Sequence, residues 1–140
     1  MPNLAILEDN DERVAAMKQC LAEANLSAAV IFDNAPEMLA WLAVNLSRVS
    51  LLSLDNDLDP ERFRDRQHGD PGSGCDVADF LRKHPPTFPI IIHTSNSNAA
   101  ASMTLTFEEC GWRFARVVPY NDVEWVRQAW IVEVKKALTS

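Results

Sequence analysis

The chain has 140 residues, a length typical of one domain, so we expect a single core and one principal site. Hydrophobic residues make up 47% and charged residues 24% of the sequence, which argues against an intrinsically disordered chain. The formal net charge of -7 argues against nonspecific binding to duplex DNA or to an anionic membrane surface.

Three cysteines, Cys20, Cys75 and Cys110, are widely spaced and form no C-x-x-C pair. The spacing therefore indicates neither a disulfide framework nor a zinc site. The first residues contain no basic segment, and no apolar run approaches the roughly 20 residues that cross a bilayer. We expect a soluble, cytoplasmic protein that does not enter a membrane.

The first half of the chain repeats a short apolar run followed by an amphipathic segment. Residues 4–7 predict a strand, and the spacing of apolar residues predicts a helix from about Asp11, for which one of residues 9–11 could be the N-cap. Residues 28–32 predict a second strand, and Asn34 is placed to cap the helix that follows.

The second half continues the pattern with three further strands and helices. The predicted strands are 49–54, 90–92 and 114–118, and the predicted helices are 75–83, 99–110 and a last one from about residue 122. Gly111 is suited to a left-handed helix end, and Asn121 could cap the last helix. Five strand–helix units result.

Continuous apolar strands that alternate with helices predict an α/β fold with a parallel sheet covered on both faces. Five units fit a single domain over residues 1–140, doubly wound with the flavodoxin-like strand order 2-1-3-4-5. In that arrangement ligands bind outside the carboxyl ends of the strands, next to strands 1 and 3.

Acidic side chains follow two of these strands, with Glu8 and Asp9 after the first and Asp55 and Asp57 after the third. Carboxylates gathered at one edge repel one another unless a hard cation neutralises them. We therefore predict a site for Mg²⁺ or Mn²⁺ formed by these four residues. The alternative is that each acidic residue merely caps a helix.

The fourth predicted strand ends in His93, Thr94, Ser95 and Asn96. An imidazole that titrates near neutral pH could act as a general acid or base, while the hydroxyl and amide groups could bind phosphate oxygens. The alternative for His93 is a structural histidine bonded to a backbone carbonyl. Tyr120, near the end of the fifth strand, could also reach a ligand.

The loop over residues 56–74 is longer than most connections, which suggests a lid, a binding loop or local disorder. Arg62, Arg64 and Arg66 alternate within it, so in an extended segment all three could face one phosphate group. The alternative is a solvated loop in which neighbouring carboxylates balance the arginines.

The layout resembles the receiver domain of two-component signalling over essentially the whole chain. Glu8-Asp9 matches the acidic pair of that family, Asp55 the phosphoacceptor, Gly74 the glycine before the third helix, and Thr94 the hydroxyl after strand 4. The resemblance implies that the acidic pair and Asp55 bind Mg²⁺, and that Asp55 is the residue a phosphoryl group would modify.

Two departures from that pattern are informative. Val118 stands where receivers carry a lysine before the strand-5 proline, and His93 replaces the usual apolar residue before the hydroxyl. With these departures the chain is most similar to the cyclic-phosphate-processing receiver family. That resemblance implies processing of a cyclic phosphate with the retained acidic pocket and the added histidine.

Three functions follow as hypotheses. In the first, the protein is a metal-dependent phosphoesterase with His93 and Asp55 as catalytic residues, acting on a phosphate-containing small molecule or an RNA end. In the second, it is a single-domain response regulator phosphorylated on Asp55 by a histidine kinase. In the third, it is a pseudo-receiver that only binds a partner. Dimerisation through its helices is open in each case.

Overall fold

The computed structural model describes residues 3–26, 29–64 and 69–139. The sheet has five parallel strands in the order β2-β1-β3-β4-β5, which confirms the predicted doubly wound fold. The strands are β1 Leu4–Leu7, β2 Val30–Phe32, β3 Leu51–Leu54, β4 Ile90–Ile92 and β5 Phe114–Arg116. The α-helices are α1 Asp11–Glu23, α2 Ala35–Asn45, α3 Pro60–Arg64, α4 Gly74–Leu81, α5 Ser97–Cys110 and α6 Ile131–Thr139.

The strands separate two hydrophobic layers because successive side chains of a strand point to opposite faces of the sheet. In β1, Ala5 and Leu7 join one layer, whereas Leu4 and Ile6 join the other. The first layer is completed by α2, α4 and α5, and the second by α1, α6 and the turn that precedes α6. Covering on both faces explains why the strands are continuously apolar.

Asparagine side chains begin three helices. Asn10, Asn34 and Asn96 accept hydrogen bonds from the backbone N–H groups of Arg13, Glu37 and Ala99. The predicted cap at Asn34 is confirmed, and Asn10 is the residue of the 9–11 group that caps α1. Gly111 ends α5 with a positive φ of 80°, as predicted, because glycine adopts this conformation without a Cβ clash.

The last helix differs from its prediction. Asn121 and Asp122 have positive φ values of 46° and 56°, so the chain makes a tight turn where the helix was expected to begin. The Asn121 side chain donates to the Glu124 carboxylate and does not cap the helix. A π-helical turn, Val126–Trp130, then leads into α6.

The loop between β3 and α4 contains the short helix α3. Because residues 62 and 64 lie in this helix, the prediction of an extended segment with alternating arginines is wrong there. Gly74 begins α4 one residue earlier than predicted, and Val30 begins β2 two residues later. None of the helices in the described part of the chain is long and apolar enough to cross a membrane.

Candidate metal and phosphate site

Three carboxylates meet at the carboxyl edge of the sheet. Leu7 and Leu54 are partners in the register of β1 and β3, so the residues that follow them leave the sheet side by side. Glu8, Asp9 and Asp55 each offer a carboxylate oxygen, and these atoms all lie within 4.8 Å of one another. Glu8 and Asp55 are 1% and 5% exposed. A close group of buried carboxylates is unstable without a compensating positive charge.

The two carboxylate oxygens of Glu8 face different groups. Glu8 Oε2 accepts hydrogen bonds from the backbone N–H groups of Asp9 and Asn10, each at 3.0 Å. Glu8 Oε1 is buried and faces His93 Nε2 at 3.2 Å and Arg13 Nη1 at 3.5 Å. A group made only of carboxylate oxygens fits Mg²⁺ or Mn²⁺, which prefer oxygen ligands.

Burial and mutual repulsion shift the acidity of these groups. Burial, followed by the neighbouring Glu8 charge, raises the pKa of Asp55 to about 7. Burial also raises the pKa of Asp9. For Glu8, burial acts in the same direction but is outweighed by His93, by the N–H of Asn10 and by Arg13, so its pKa is lowered. Without a cation, Asp55 therefore holds a proton more readily than Glu8 does.

A guanidinium faces the same carboxylates. Arg13, in the first turn of α1, places Nη1 3.5 Å from Glu8 Oε1 and 3.8 Å from Asp55 Oδ2. Its guanidinium carbon lies 5.4 Å from the ring centroid of Trp125, a cation–π distance. Arg13 was not predicted as a site residue from the sequence, although its place four residues after Asp9 puts it above the same strand end.

His93 is fully buried behind Glu8. Its Nε2 atom lies 3.2 Å from Glu8 Oε1, and its ring stacks on Trp125 with centroids 5.8 Å apart. Its Nδ1 atom lies 2.6 Å from Ser53 Oγ, which also accepts a hydrogen bond from Trp130 Nε1 at 2.9 Å. His93 is thus bonded to a serine hydroxyl, and the alternative of a bond to a backbone carbonyl is not what the structure shows.

The contacts of Ser53 bear on the tautomer of His93. Trp130 Nε1 can only donate, so Ser53 Oγ accepts from it and can direct its own hydroxyl hydrogen to Nδ1. In that arrangement the imidazole hydrogen is on Nε2, which faces Glu8. Ser53 and Trp130 were not singled out as site residues from sequence. The isolated serine in an otherwise apolar strand was the signal for the first of them.

Gly74 closes the site from the side of α4. A Cβ at this position would lie 2.2 Å from the carbonyl oxygen of Asp55, so only glycine allows α4 to start here. The Gly74 N–H donates to the carbonyl of Asn56 at 3.2 Å. The glycine therefore holds the segment after β3 in place, which is the physical reason for the match noted in the sequence.

Of the predicted phosphate ligands after β4, Thr94 and Asn96 bond to other groups of the protein, whereas Ser95 is exposed. Thr94 is buried and accepts a hydrogen bond from the Asn96 N–H, while the Asn96 amide donates to both oxygens of Asp57. Asp57 is exposed and lies outside the group of three close carboxylates. Ser95 is exposed and lines a groove together with Arg13 and Tyr120.

Arg62, the loop arginine whose side chain the structure describes, bonds to carboxylates outside the group of three. Arg62 donates to Asp11 at 2.9 Å and to Asp33 at 2.8 Å, so its guanidinium is already bound to carboxylates. This agrees with the solvated-loop alternative for Arg62. The side chain of Arg64 and the whole of Arg66 lie outside the described residues. Tyr120 donates its hydroxyl hydrogen to Gln128 at 2.7 Å.

Comparison with known proteins agrees with this geometry. The family model described as the cyclic-phosphate processing receiver domain matches residues 5–109. No curated protein matches the chain significantly in sequence.

Solved receiver domains share the fold. The signal receiver domain of a Luxo repressor protein from Vibrio parahaemolyticus is 16% identical with a TM-score of 0.66, over 97% of this chain and 92% of that one. A response regulator from Chloroflexus aurantiacus is 22% identical with a TM-score of 0.65, over the whole of both chains. A response regulator receiver protein from Burkholderia phymatum is 22% identical with a TM-score of 0.60, over 99% and 96%. With the family model covering most of the chain, the protein belongs to the cyclic-phosphate processing receiver family.

Proposed function

We propose that the protein binds a divalent cation at Glu8, Asp9 and Asp55 and uses this site to open a cyclic phosphodiester. The observation that carries the proposal is the close approach of three carboxylate oxygens at the carboxyl edge of the sheet, all within 4.8 Å of one another. The description of the family as cyclic-phosphate processing supports a cyclic phosphate as the proposed substrate class. Mg²⁺, or Mn²⁺, is the cation that this set of oxygen ligands favours.

The reaction is a hydrolysis. Water adds to phosphorus and gives up a proton, one of the two ring P–O bonds breaks, and the released oxygen takes a proton to leave a phosphomonoester. A divalent cation in this site would polarise a phosphoryl oxygen and offset the negative charge that develops on it. From the chain, the exposed Ser95 hydroxyl would contact the phosphate, and Thr94 would hold the backbone of Asn96 in place.

His93 is proposed to act through Glu8. Its ring is fully buried, so its Nε2 atom faces the carboxylate and has no direct path to a substrate. Nε2 and Glu8 Oε1 are 3.2 Å apart, and the Ser53 hydroxyl lies at Nδ1. Proton uptake or release by the imidazole would then change the charge that Glu8 presents to the cation and to a water bound to it, which is the acid–base role we propose for His93.

The test is incubation with 2′,3′-cyclic nucleotides and Mg²⁺ or Mn²⁺, with ring opening followed by ³¹P NMR. We expect turnover that depends on the metal and is lost in Asp55→Asn. The exposed carboxylate of Asp79 on α4 provides a matched control, and Asp79→Asn should retain full activity. No turnover with any divalent metal would reject the function, and undiminished turnover in His93→Ala would reject the role of the imidazole.

Phosphorylation of Asp55 is the second candidate function. Its carboxylate lies directly after β3, where Oδ1 accepts the Asn56 N–H at 2.8 Å and Oδ2 faces Arg13. Acetyl phosphate and Mg²⁺, followed by mass spectrometry, should add one phosphoryl group if the protein is a response regulator served by a histidine kinase. An unmodified Asp55 together with turnover of a cyclic phosphate would support the hydrolase and argue against the response regulator. Mg²⁺ binding that is absent by calorimetry would favour a pseudo-receiver.

A further inference from the structure

Arg13 occupies a special place among the cations of this protein. Of the lysines and arginines that the structure describes, it is the one within ion-pair distance of Glu8 and Asp55. Its contacts at 3.5 and 3.8 Å are longer than good charge-assisted hydrogen bonds. The guanidinium is therefore held near the carboxylates by charge, while its N–H donors are not committed to them.

The position of Arg13 is set by an aromatic surface. Trp125 is fully buried and presents its ring to the guanidinium at 5.4 Å, which limits where the arginine head can move. The same ring stacks on His93. A planar guanidinium that lies on a ring keeps its edge, and so its N–H donors, available to a ligand.

The arginine lies at the boundary between the acidic group and a groove of about 320 Å³. The other residues that line this groove are Ser95, Pro119, Tyr120, Asn121 and Asp122. Asp122 is the acidic member of the lining, and Arg13 is the cationic one. An anion in the groove would thus lie between Arg13 and Ser95, next to the carboxylates that hold the metal.

The end of β5 supplies no competing cation at this point. Val118 stands where the resemblance to receivers calls for a lysine, and it is 52% exposed with no charge. Arg116, the nearest preceding arginine, donates to the carbonyl oxygen of Thr94 at 3.1 Å and so stabilises the loop after β4. A side-chain cation that assists the metal in binding a phosphate would therefore come from another element.

We propose that Arg13 is the phosphate-binding cation of this site, in place of the absent strand-5 lysine. The inference rests on the proposed phosphate chemistry of the same site. In the metal-free protein, Arg13 partly neutralises Glu8 and Asp55. When a divalent cation takes over those carboxylates, the guanidinium is repelled from the cation and its donors are free for phosphate oxygens.

This exchange predicts opposite effects on two ligands. In Arg13→Gln, Mg²⁺ should bind severalfold more tightly, because a positive charge next to its ligands has been removed. Inorganic phosphate, added in the presence of saturating Mg²⁺, should bind about tenfold more weakly, because a charge-assisted donor pair is lost. The phosphate affinity of Arg13→Lys should lie between those of the wild type and Arg13→Gln, since an ammonium keeps the charge without the planar pair of donors.

Isothermal titration calorimetry with Mg²⁺ alone and then with inorganic phosphate measures both changes. Arg48→Gln is the matched control because Arg48 is exposed and precedes β3, at the opposite end of the sheet, and it should leave both affinities unchanged. Phosphate affinity in Arg13→Gln equal to that of the wild type, parallel loss of both affinities, or a wild type that binds no phosphate would each overturn the inference.

Failure of this inference is distinguishable from failure of the proposed function. If the wild type binds Mg²⁺ and phosphate and Arg13→Gln shows the opposite shifts, the inference holds even where no cyclic phosphate is hydrolysed. If cyclic nucleotides are hydrolysed and Arg13→Gln behaves as the wild type in calorimetry, the function stands and the role of Arg13 is wrong.

Discussion

The two faces of the sheet are built differently. Towards α2, α4 and α5, the strands present apolar side chains, such as Leu52, Leu54 and Ile92. Towards α1 and α6, the same strands present Leu51 and Ile91 but also Ser53, which bonds to both Trp130 and His93. One face stabilises the fold by burying apolar area, and the other carries a line of specific hydrogen bonds that ends at the Glu8 carboxylate.

The hydrogen-bonded series Trp130–Ser53–His93 costs stability unless every member is bonded. The reason is that an unpaired buried polar group carries the full penalty of its desolvation. The strand side chains of the other face are apolar, so their contribution depends on the area that they bury and on packing. Ser53 and His93 are both buried, and their contacts connect the core to the Glu8 carboxylate of the site. The following predictions test that contrast.

The largest effect is expected on the apolar face. Phe107 is fully buried beside Phe114, and Phe107→Ala should lower the free energy of unfolding by about 3–5 kcal/mol, because it leaves a large cavity. Leu105, on the same helix but 58% exposed, is the control, and Leu105→Ala should change stability by about 0.5 kcal/mol or less. Urea unfolding measures both. Similar losses in the two variants would contradict the assignment of this face as the core.

On the polar face we expect a smaller but coupled effect. Ser53→Ala leaves Trp130 Nε1 and His93 Nδ1 without their partner, and should cost about 2 kcal/mol. Trp130→Phe should be less harmful in the Ser53→Ala background than in the wild type, since the bond is already lost. Ser47→Ala, an exposed serine, is the control. Strict additivity of the two core substitutions in urea unfolding would show that the line is not a unit.

The acidic end of that line should make stability depend on pH. Because the pKa of Asp55 is raised to about 7, the folded protein keeps a proton that the unfolded chain has already released above about pH 4. Asp55 therefore lowers stability as pH rises from about 4 to about 7, by at most about 1.4 kcal/mol per pH unit, and adds no further slope above that.

The measurement compares the wild type with Asp55→Asn in metal-free buffer by thermal or urea unfolding. The variant should gain stability relative to the wild type as pH rises through this window, and Asp79→Asn should follow the wild type. Mg²⁺ should remove most of the difference above pH 7. Parallel curves for the wild type and Asp55→Asn would contradict the raised pKa.

The smallest effect is expected outside both faces. Arg62 bonds to Asp11 and Asp33 at the exposed rim, and its side chain is 38% exposed, so Arg62→Gln should cost between about 0 and 1 kcal/mol. The loss should shrink further at high salt, since an exposed ion pair is screened. A loss above about 2 kcal/mol in urea unfolding would show that α3 is held in place by these ion pairs.

Much of this protein could be predicted from its residues in order. Apolar runs and helical spacing were enough for five strand–helix units, and the fit of these units to the flavodoxin-like arrangement gave the strand order. The capping asparagine Asn34 and the end of α5 at Gly111 followed from local backbone preferences. The meeting of Glu8, Asp9 and Asp55 also followed, because parallel strands place their carboxyl ends on one edge. Element boundaries were less accurate, as at β2 and at the start of the last helix.

The remaining features depend on contacts between residues far apart in the chain. Nothing local to His93 shows that Ser53 and Trp130 enclose it, since these residues lie 40 positions before and 37 after it. The pairing of Arg62 with Asp33, and the approach of Arg13 to Asp55 over Trp125, are equally remote. Local pattern decides which segments form strands and helices and where acidic residues leave the sheet. Which buried groups become partners is decided only when the two layers close on the sheet, because packing selects among many contacts that the sequence permits equally.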